Sequence, residues 1–158
     1  MKITVSDIKA EPKHLAYVEG VDEPNEQLAR GVHDFQVARG MQVAVDYYRA
    51  TYGVEPAHRE VVERDGVEEV LLRVAESYIQ LLTPVRDDSP VAKYLEKKGE
   101  GIHHVAYRVD DCAAALDRVK REGHQVIDEA PRPGSRGTTV AFVHPKTAFG
   151  TLVELVQE

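Results

Sequence analysis

An internal repeat limits the folds open to this chain more than any other feature of its sequence. Residues 77–82 (SYIQLL) align with residues 151–156 (TLVELV), so that Gln80 corresponds to Glu154. Residues 31–33 (GVH) align in the same way with residues 102–104 (IHH). The spacings agree, because Gln80 follows His33 by 47 residues and Glu154 follows His104 by 50. Each copy therefore reads as one supersecondary unit, and we expect the two copies to bury a common core.

Each copy of the repeat has the pattern of a strand, a helix and three further strands. The first copy predicts strands over residues 32–38, 56–61, 69–74 and 78–82. Its helix is predicted over residues 41–52 and ends at Gly53. The second copy predicts strands over residues 101–109, 125–128, 138–144 and 152–156. Its helix is predicted to begin after Asp110 or Asp111 and to run to residue 122. Ser89, followed by Pro90, predicts the start of a linking helix. We predict an α+β fold in which paired βαβββ modules form one curved, barrel-like mixed sheet around a cavity.

The repeat also divides the chain. We expect one structural domain over residues 31–158, made of a first module with its linker helix (31–99) and a second module (100–158). Residues 1–30 are polar, acidic and interrupted by Pro12 and Pro24. They are expected to form an N-terminal extension of unknown role.

Composition excludes several classes of function. The net charge of −7 argues against nucleic acid as a partner, because such proteins carry a basic face. A single cysteine, Cys112, excludes a disulfide framework and a cysteine-based zinc site. The N-terminal residues lack a long apolar run, so neither a signal peptide nor a membrane span is expected. We expect a cytoplasmic protein with no membrane partner.

Polar side chains at equivalent places in the two copies suggest a metal site. Glu154 shares a strand face with Leu152 and Val156, and a buried carboxylate is costly unless it is paired or binds a metal. An edge strand, which would leave Glu154 in solvent, is the alternative. Gln80 is flanked in the same way, and a hydrogen-bonded core amide is the alternative there. Two imidazoles, one amide and one carboxylate suit a divalent first-row metal with open positions.

The histidines are not equally strong candidates. Neighbouring residues of a strand face opposite ways, so only one of His103 and His104 is expected to enter the cavity. His33 would complete the set, although a lone strand histidine is more often structural. His58 and His124 lie on polar stretches and are expected to be solvated.

Several stretches in the right order resemble a known superfamily. They are residues 91–111 (VAKYLEKKGEGIHHVAYRVDD), 128–134 (DEAPRPG), 142–146 (FVHPK) and 153–155 (VEL). With these residues the chain resembles the vicinal oxygen chelate (glyoxalase/bleomycin resistance/dioxygenase) superfamily and, within it, the methylmalonyl-CoA epimerases. By position, the resemblance implies the metal ligands His33, Gln80, His104 and Glu154. It therefore favours His104 over His103.

The resemblance also implies an activity. It implies a metal-dependent epimerase that inverts carbon 2 of methylmalonyl-CoA, or of a close 2-alkylmalonyl-CoA, by removing and redelivering a proton through a metal-stabilised enolate. Glu69 and Glu154 would be the two catalytic carboxylates. It further implies one divalent ion per chain, favouring Co²⁺ with Mn²⁺, Ni²⁺ or Zn²⁺ as alternatives, an acyl-CoA substrate and a homodimer. A glyoxalase-like lyase and a non-catalytic ligand-binding protein of the same superfamily are the alternatives.

Two points stay open at the level of sequence. Alternation places Glu68, rather than Glu69, on the face of Val70 and Leu72. Glu69 enters the cavity if that apolar face packs on the helix; otherwise Glu68 is the better candidate. Three basic residues could contact the CoA group or be solvated, namely Arg132, Arg136 and Lys146.

Overall fold

The computed structural model describes residues 32–75 and 77–158, so the expected extension over residues 1–30 lies outside the described residues. The elements alternate as the repeat predicts. In chain order they are β1 (Val32–Val37), α1 (Met41–Tyr52), β2 (Pro56–Val62), β3 (Val67–Val74), β4 (Ser77–Pro84), α2 (Pro90–Lys98), β5 (Gly101–Arg108), α3 (Cys112–Arg121), β6 (Arg132–Pro133), β7 (Thr139–Val143) and β8 (Val153–Gln157). Short 3-10 turns lie at Ser135–Gly137 and Pro145–Thr147.

All eight strands join one curled sheet in the order β2-β3-β4-β1-β5-β8-β7-β6. In each module the first strand pairs in parallel with the last, and the two first strands, β1 and β5, meet antiparallel at the centre. This topology confirms the predicted α+β fold with paired βαβββ modules.

The strand register relates the two modules by an approximate twofold axis. Across the central pair, His33 lies opposite Ala106 and Phe35 lies opposite His104. Within the modules, Phe35 pairs with Gln80 and Ala106 pairs with Glu154. When the two modules are interchanged, the pair His33–Ala106 takes the place of the pair His104–Phe35. The pair Phe35–Gln80 likewise takes the place of the pair Ala106–Glu154. His33 and His104 are therefore structurally equivalent, as the repeat predicts.

Helices α1 and α3 cover one face of the sheet. Met41 and Val45 of α1 pack with Val70, Leu72 and Leu81. In the second module, Cys112, Ala115 and Leu116 of α3 pack with Ala141 and Leu155. Because strand residues alternate between faces, the residues between these core positions point to the opposite, concave face.

The predicted helix ends are confirmed. The Ser89 hydroxyl and the Asp111 carboxylate each accept a bond from a first-turn N–H, of Ala92 and Ala114 respectively, at 3.0 Å. Gly53 ends α1 with φ of 69°, a left-handed conformation that glycine adopts without strain. The start of α1 differs, because Gly40 offers no side-chain cap.

One strand prediction is wrong. Residues 125–128 form no strand, and Val126 makes only an isolated bridge to Val143. The counterpart of β2 is instead the two-residue β6, Arg132–Pro133. Proline lacks an N–H for the ladder, so Pro131 and Pro133 keep this strand short and at the sheet edge. Within the described residues, no helix combines the length and apolar character needed to cross a bilayer.

Candidate active site

A cavity of about 250 Å³ lies on the concave face of the sheet. It brings together all five side chains that the sequence singled out. His33, Glu69, Gln80, His104 and Glu154 line it, and each is at most 7% exposed. Their roles as ligands or catalytic groups remain predictions, but their placement in one cavity is a property of the fold.

Both modules supply cavity walls through strand alternation. Glu69 and Gln80 come from β3 and β4 of the first module, while Glu154 comes from β8 of the second. Leu152 and Val156 line the cavity on either side of Glu154, as the alternating pattern predicts. The carboxylate is thus held among apolar side chains.

The choice between Glu68 and Glu69 is decided by the packing of β3. Val70 and Leu72 are fully buried beneath α1, which turns Glu69 toward the cavity. Glu68 pairs instead with Arg59 across the strands at 2.7 Å, and its side chain is 23% exposed.

Hydrogen bonds orient three members of the predicted metal set. Gln80 Nε2 donates to Glu69 Oε2 at 2.5 Å, which leaves the Gln80 amide oxygen for another partner. His104 Nε2 lies 3.1 Å from Glu154 Oε2. His104 and Glu154 thus lie together at one place in the cavity, and Gln80 and Glu69 lie together at another.

His33 has a buried ring nitrogen without a partner. Its Nδ1 accepts a bond from the Tyr78 N–H at 3.2 Å, and its Nε2 has no partner among the described residues. Burial lowers the pKa of His33, against the opposing charge of Glu158. The ring is therefore neutral with its proton on Nε2, and ligation through Nε2 requires release of the Tyr78 contact.

Both adjacent histidines line the cavity, so the expectation that only one could enter is wrong. The β1–β5 register pairs Phe35 with His104 and Gln36 with Ile102, leaving His103 as an extra residue in a β-bulge. A bulge breaks strict alternation. His103 Nδ1 lies 2.9 Å from His104 Nδ1, and burial followed by the proximity of His104 lowers the pKa of His103 to about 4.

The carboxyl group of Glu69 has a strongly raised pKa. Burial raises its pKa to about 7; the Ser135 hydroxyl opposes this shift and the nearby Glu60 carboxylate adds to it. A carboxyl group of this pKa can both accept and release a proton near neutral pH.

Sequence reasoning missed two neighbours of Glu69. His58, Glu60 and Glu69 each place one ligand-type atom within 4.8 Å of the others. The expectation that His58 is solvated is wrong for its Nε2, which is buried. Alternation along β2 indicates that His58 and Glu60 share a face, but the register that sets them against Glu69 could not be read from the sequence. Of the three basic candidates, Arg132 and Arg136 line the cavity and Lys146 does not.

Comparison with known proteins identifies the family. The model of the glyoxalase/bleomycin resistance protein/dioxygenase superfamily matches residues 26–142. The chain belongs to this superfamily. Epimerases of the superfamily use a metal ion, and the described residues include His and Glu side chains that meet in one cavity.

Individual relatives are also similar over most of their length. The chain is 39% identical over 119 residues to an ethylmalonyl-CoA/methylmalonyl-CoA epimerase of Cereibacter sphaeroides, covering 74% of this chain and 89% of that protein. A Streptomyces coelicolor methylmalonyl-CoA epimerase variant, solved with 2-nitronate-propionyl-CoA, is 40% identical with a TM-score of 0.79, covering 84% of this chain and 96% of that one. A methylmalonyl-CoA epimerase solved with methylmalonyl-CoA and NH₄⁺ gives the same identity, TM-score and coverage.

Proposed function

We propose that this chain is a metal-dependent epimerase that inverts carbon 2 of methylmalonyl-CoA or a close 2-alkylmalonyl-CoA. The observation that carries the proposal is the presence of two buried carboxylates, Glu69 and Glu154, in one cavity beside three histidines and an amide. Inversion at a carbon next to a carbonyl needs a proton to leave one face and return to the other, and two carboxylates can perform that exchange.

The donor types of the predicted metal set suit a divalent ion. The Nε2 of His33, once the Tyr78 contact to its Nδ1 is released, the amide oxygen of Gln80 and the contact between His104 and Glu154 offer nitrogen and oxygen donors without sulphur. Such an ion would polarise the oxygens of the substrate as a Lewis acid. We propose one ion per chain at His33, Gln80, His104 and Glu154, with Co²⁺ favoured and Mn²⁺, Ni²⁺ or Zn²⁺ as alternatives.

The protein groups account for the proton movements. Glu69 takes the proton from carbon 2, leaving its bonding electrons in the planar enolate of the substrate, and Glu154 delivers a proton to the other face. The reverse direction exchanges the two roles. The amide of Gln80, which donates to Glu69 Oε2, holds that carboxylate in place.

The walls suit an anionic thioester. Phe35, Val140 and Phe142 exclude water from the reacting carbon, and the guanidinium of Arg132 lies 5.2 Å from the centre of the Phe142 ring. The nitronate bound by the Streptomyces relative is a planar anion, like the enolate. This resemblance of charge and shape supports an acyl-CoA substrate.

Isotope exchange tests the proposal. Purified protein is freed of metal, reloaded with Co²⁺ and incubated with methylmalonyl-CoA in deuterated water. Mass spectrometry should find deuterium at carbon 2 and, by chiral analysis, both epimers. A thioester product from glutathione hemithioacetal would instead show a glyoxalase-like lyase. Failure to retain metal, with neither reaction, would show a binding protein.

The proposal extends to assembly and location. We propose a cytoplasmic homodimer whose structural domain spans residues 31–158. Light scattering after size-exclusion chromatography should give twice the chain mass of 17.6 kDa. Limited proteolysis should leave a resistant fragment beginning near residue 31.

A further inference from the structure

Two carboxylates face each other across the outermost strand pair of the first module. Glu60 of β2 lies directly opposite Glu69 of β3, and His58 precedes Glu60 by two residues on the same strand. Like charges placed directly opposite in a sheet are destabilising. One ligand-type atom from each of the three residues lies within 4.8 Å of the others. The cluster therefore concentrates negative charge and an imidazole at one point.

One buried carboxylate oxygen in this cluster lacks a hydrogen-bond partner among the described residues. Glu69 is 3% exposed, and its Oε1 has no hydrogen-bond partner in the described part of the chain. The Nε2 of His58 is also buried, and it lies 3.3 Å from Glu60 Oε1 within the same cluster. Buried polar atoms in native proteins are nearly always satisfied, so the orphaned Oε1 of Glu69, beside an imidazole and a second carboxylate, points to a ligand at this cluster.

Neighbouring basic groups do not supply that partner. Arg136 gives its backbone N–H to Glu60 Oε1 at 3.0 Å, while its guanidinium lies 3.7 Å from Glu158. Arg59, on the same strand, pairs with Glu68 at 2.7 Å. The backbone contact holds Glu60 beside Glu69 without neutralising the pair.

We propose that His58, Glu60 and Glu69 form a second divalent-cation site, distinct from the one at His33, Gln80, His104 and Glu154. One imidazole and two carboxylates are donors typical of first-row ions such as Zn²⁺ or Mn²⁺. Gln80 occupies Oε2 of Glu69, and the cation takes Oε1. The side chains of His58 and Glu60 are 38% and 31% exposed, so this site binds its ion more weakly and exchanges it with solvent.

The second site has a consequence for turnover, which rests on the proposed function. A cation on Glu69 removes the free carboxylate that accepts the proton. Activity should therefore rise with metal concentration while the first site fills and fall as the second site fills.

Metal stoichiometry tests the site without reference to activity. Chelator-treated full-length protein is equilibrated with Zn²⁺ by dialysis, and bound ions are counted by elemental analysis over a range of free concentrations. Wild type should bind two ions per chain, and the H58A and E60Q variants one. The exposed His124 supplies the matched control, since H124A should still bind two.

The outcomes separate the second site from the proposed function. One ion in wild type, two ions in both H58A and E60Q, or loss of an ion in H124A would overturn the second site, whether or not the protein is an epimerase. Two ions in wild type and one in H58A without isotope exchange would uphold the site and overturn the epimerase. Circular dichroism checks the fold, and E60Q, which keeps side-chain size, covers a failure of H58A to fold.

Discussion

The two modules share a backbone plan but carry different chemistry at equivalent positions. The predicted ligands correspond across the twofold axis, His33 with His104 and Gln80 with Glu154. The same registers make Glu69 equivalent to Val140, since each lies two residues before the strand residue that pairs with Gln80 or Glu154. The predicted metal ligands are thus distributed over both modules, whereas the carboxyl group with the raised pKa, that of Glu69, belongs to the first.

The outermost strands differ even more. Opposite Glu69 lies Glu60, and opposite Val140 lies Arg132. The first module therefore ends in a pair of carboxylates, and the second in an apolar side chain facing a guanidinium. We infer that the central strands of the sheet determine which ligand the cavity holds. The two edge strands determine which charged side chains surround that ligand.

The largest expected effect follows from replacing Glu69, the proposed general base, which lies in the first module. Replacing Glu69 by Gln should lower the rate of isotope exchange by roughly 10²–10⁴-fold, the usual contribution of a general base. Glu68→Gln is the matched control, because Glu68 pairs with Arg59 outside the cavity. Near-normal exchange in Glu69→Gln would contradict the assignment.

Glu69 should also make stability depend on pH in a way that Val140 cannot. Its folded pKa of about 7 exceeds the ordinary value of 4.5, so the folded chain holds the proton more tightly. The resulting stabilisation is present below pH 4.5 and is lost as pH rises through 7. In metal-free protein, the free energy of unfolding relative to Glu69→Gln should fall by about 3 kcal/mol over that window.

Urea unfolding of both proteins between pH 4.5 and 8 measures this difference. If the free energies of unfolding of the two proteins differ by the same amount at every pH in this window, Glu69 has an ordinary pKa in the folded state.

The bulge distinguishes the central strand of the second module from that of the first. His103 contacts His104 through the two Nδ1 atoms, and residues that support a metal ligand in this way are typically worth about 10–100-fold in metal affinity. His103→Ala should weaken Co²⁺ binding by that factor, as measured by titration calorimetry. The exposed His124 again serves as control, and equal affinities in the two variants would contradict a supporting role.

The smallest effects concern the helix starts. Asp111 caps α3, whereas Gly40 leaves α1 without a side-chain cap. Asp111→Ala should destabilise the fold by about 1 kcal/mol, and Gly40→Ser should stabilise it by a few tenths. Gly40 has φ of −135°, which serine adopts freely. Thermal unfolding of the two variants measures both signs, and a destabilised Gly40→Ser would refute the expected gain.

Local signals in the sequence were sufficient for much of the fold. Gly53, Ser89 and Asp111 act through their own backbone or first turn, so their positions could be predicted. The equivalence of His33 and His104 followed from the repeat. The bulge at His103 could not be predicted, because it depends on how β5 registers against β1. The meeting of Glu60 with Glu69 depends in the same way on the β2–β3 register.

The twofold relation between the modules has a consequence for the kind of catalyst that can be built on it. An assembly of two identical single modules would have to present the same side chain on each side of a bound molecule. Joining the modules through α2 frees each half to change alone, as Glu69 and Val140 show. A single polypeptide can therefore place unlike side chains on the two faces of one carbon atom within a nearly symmetrical frame.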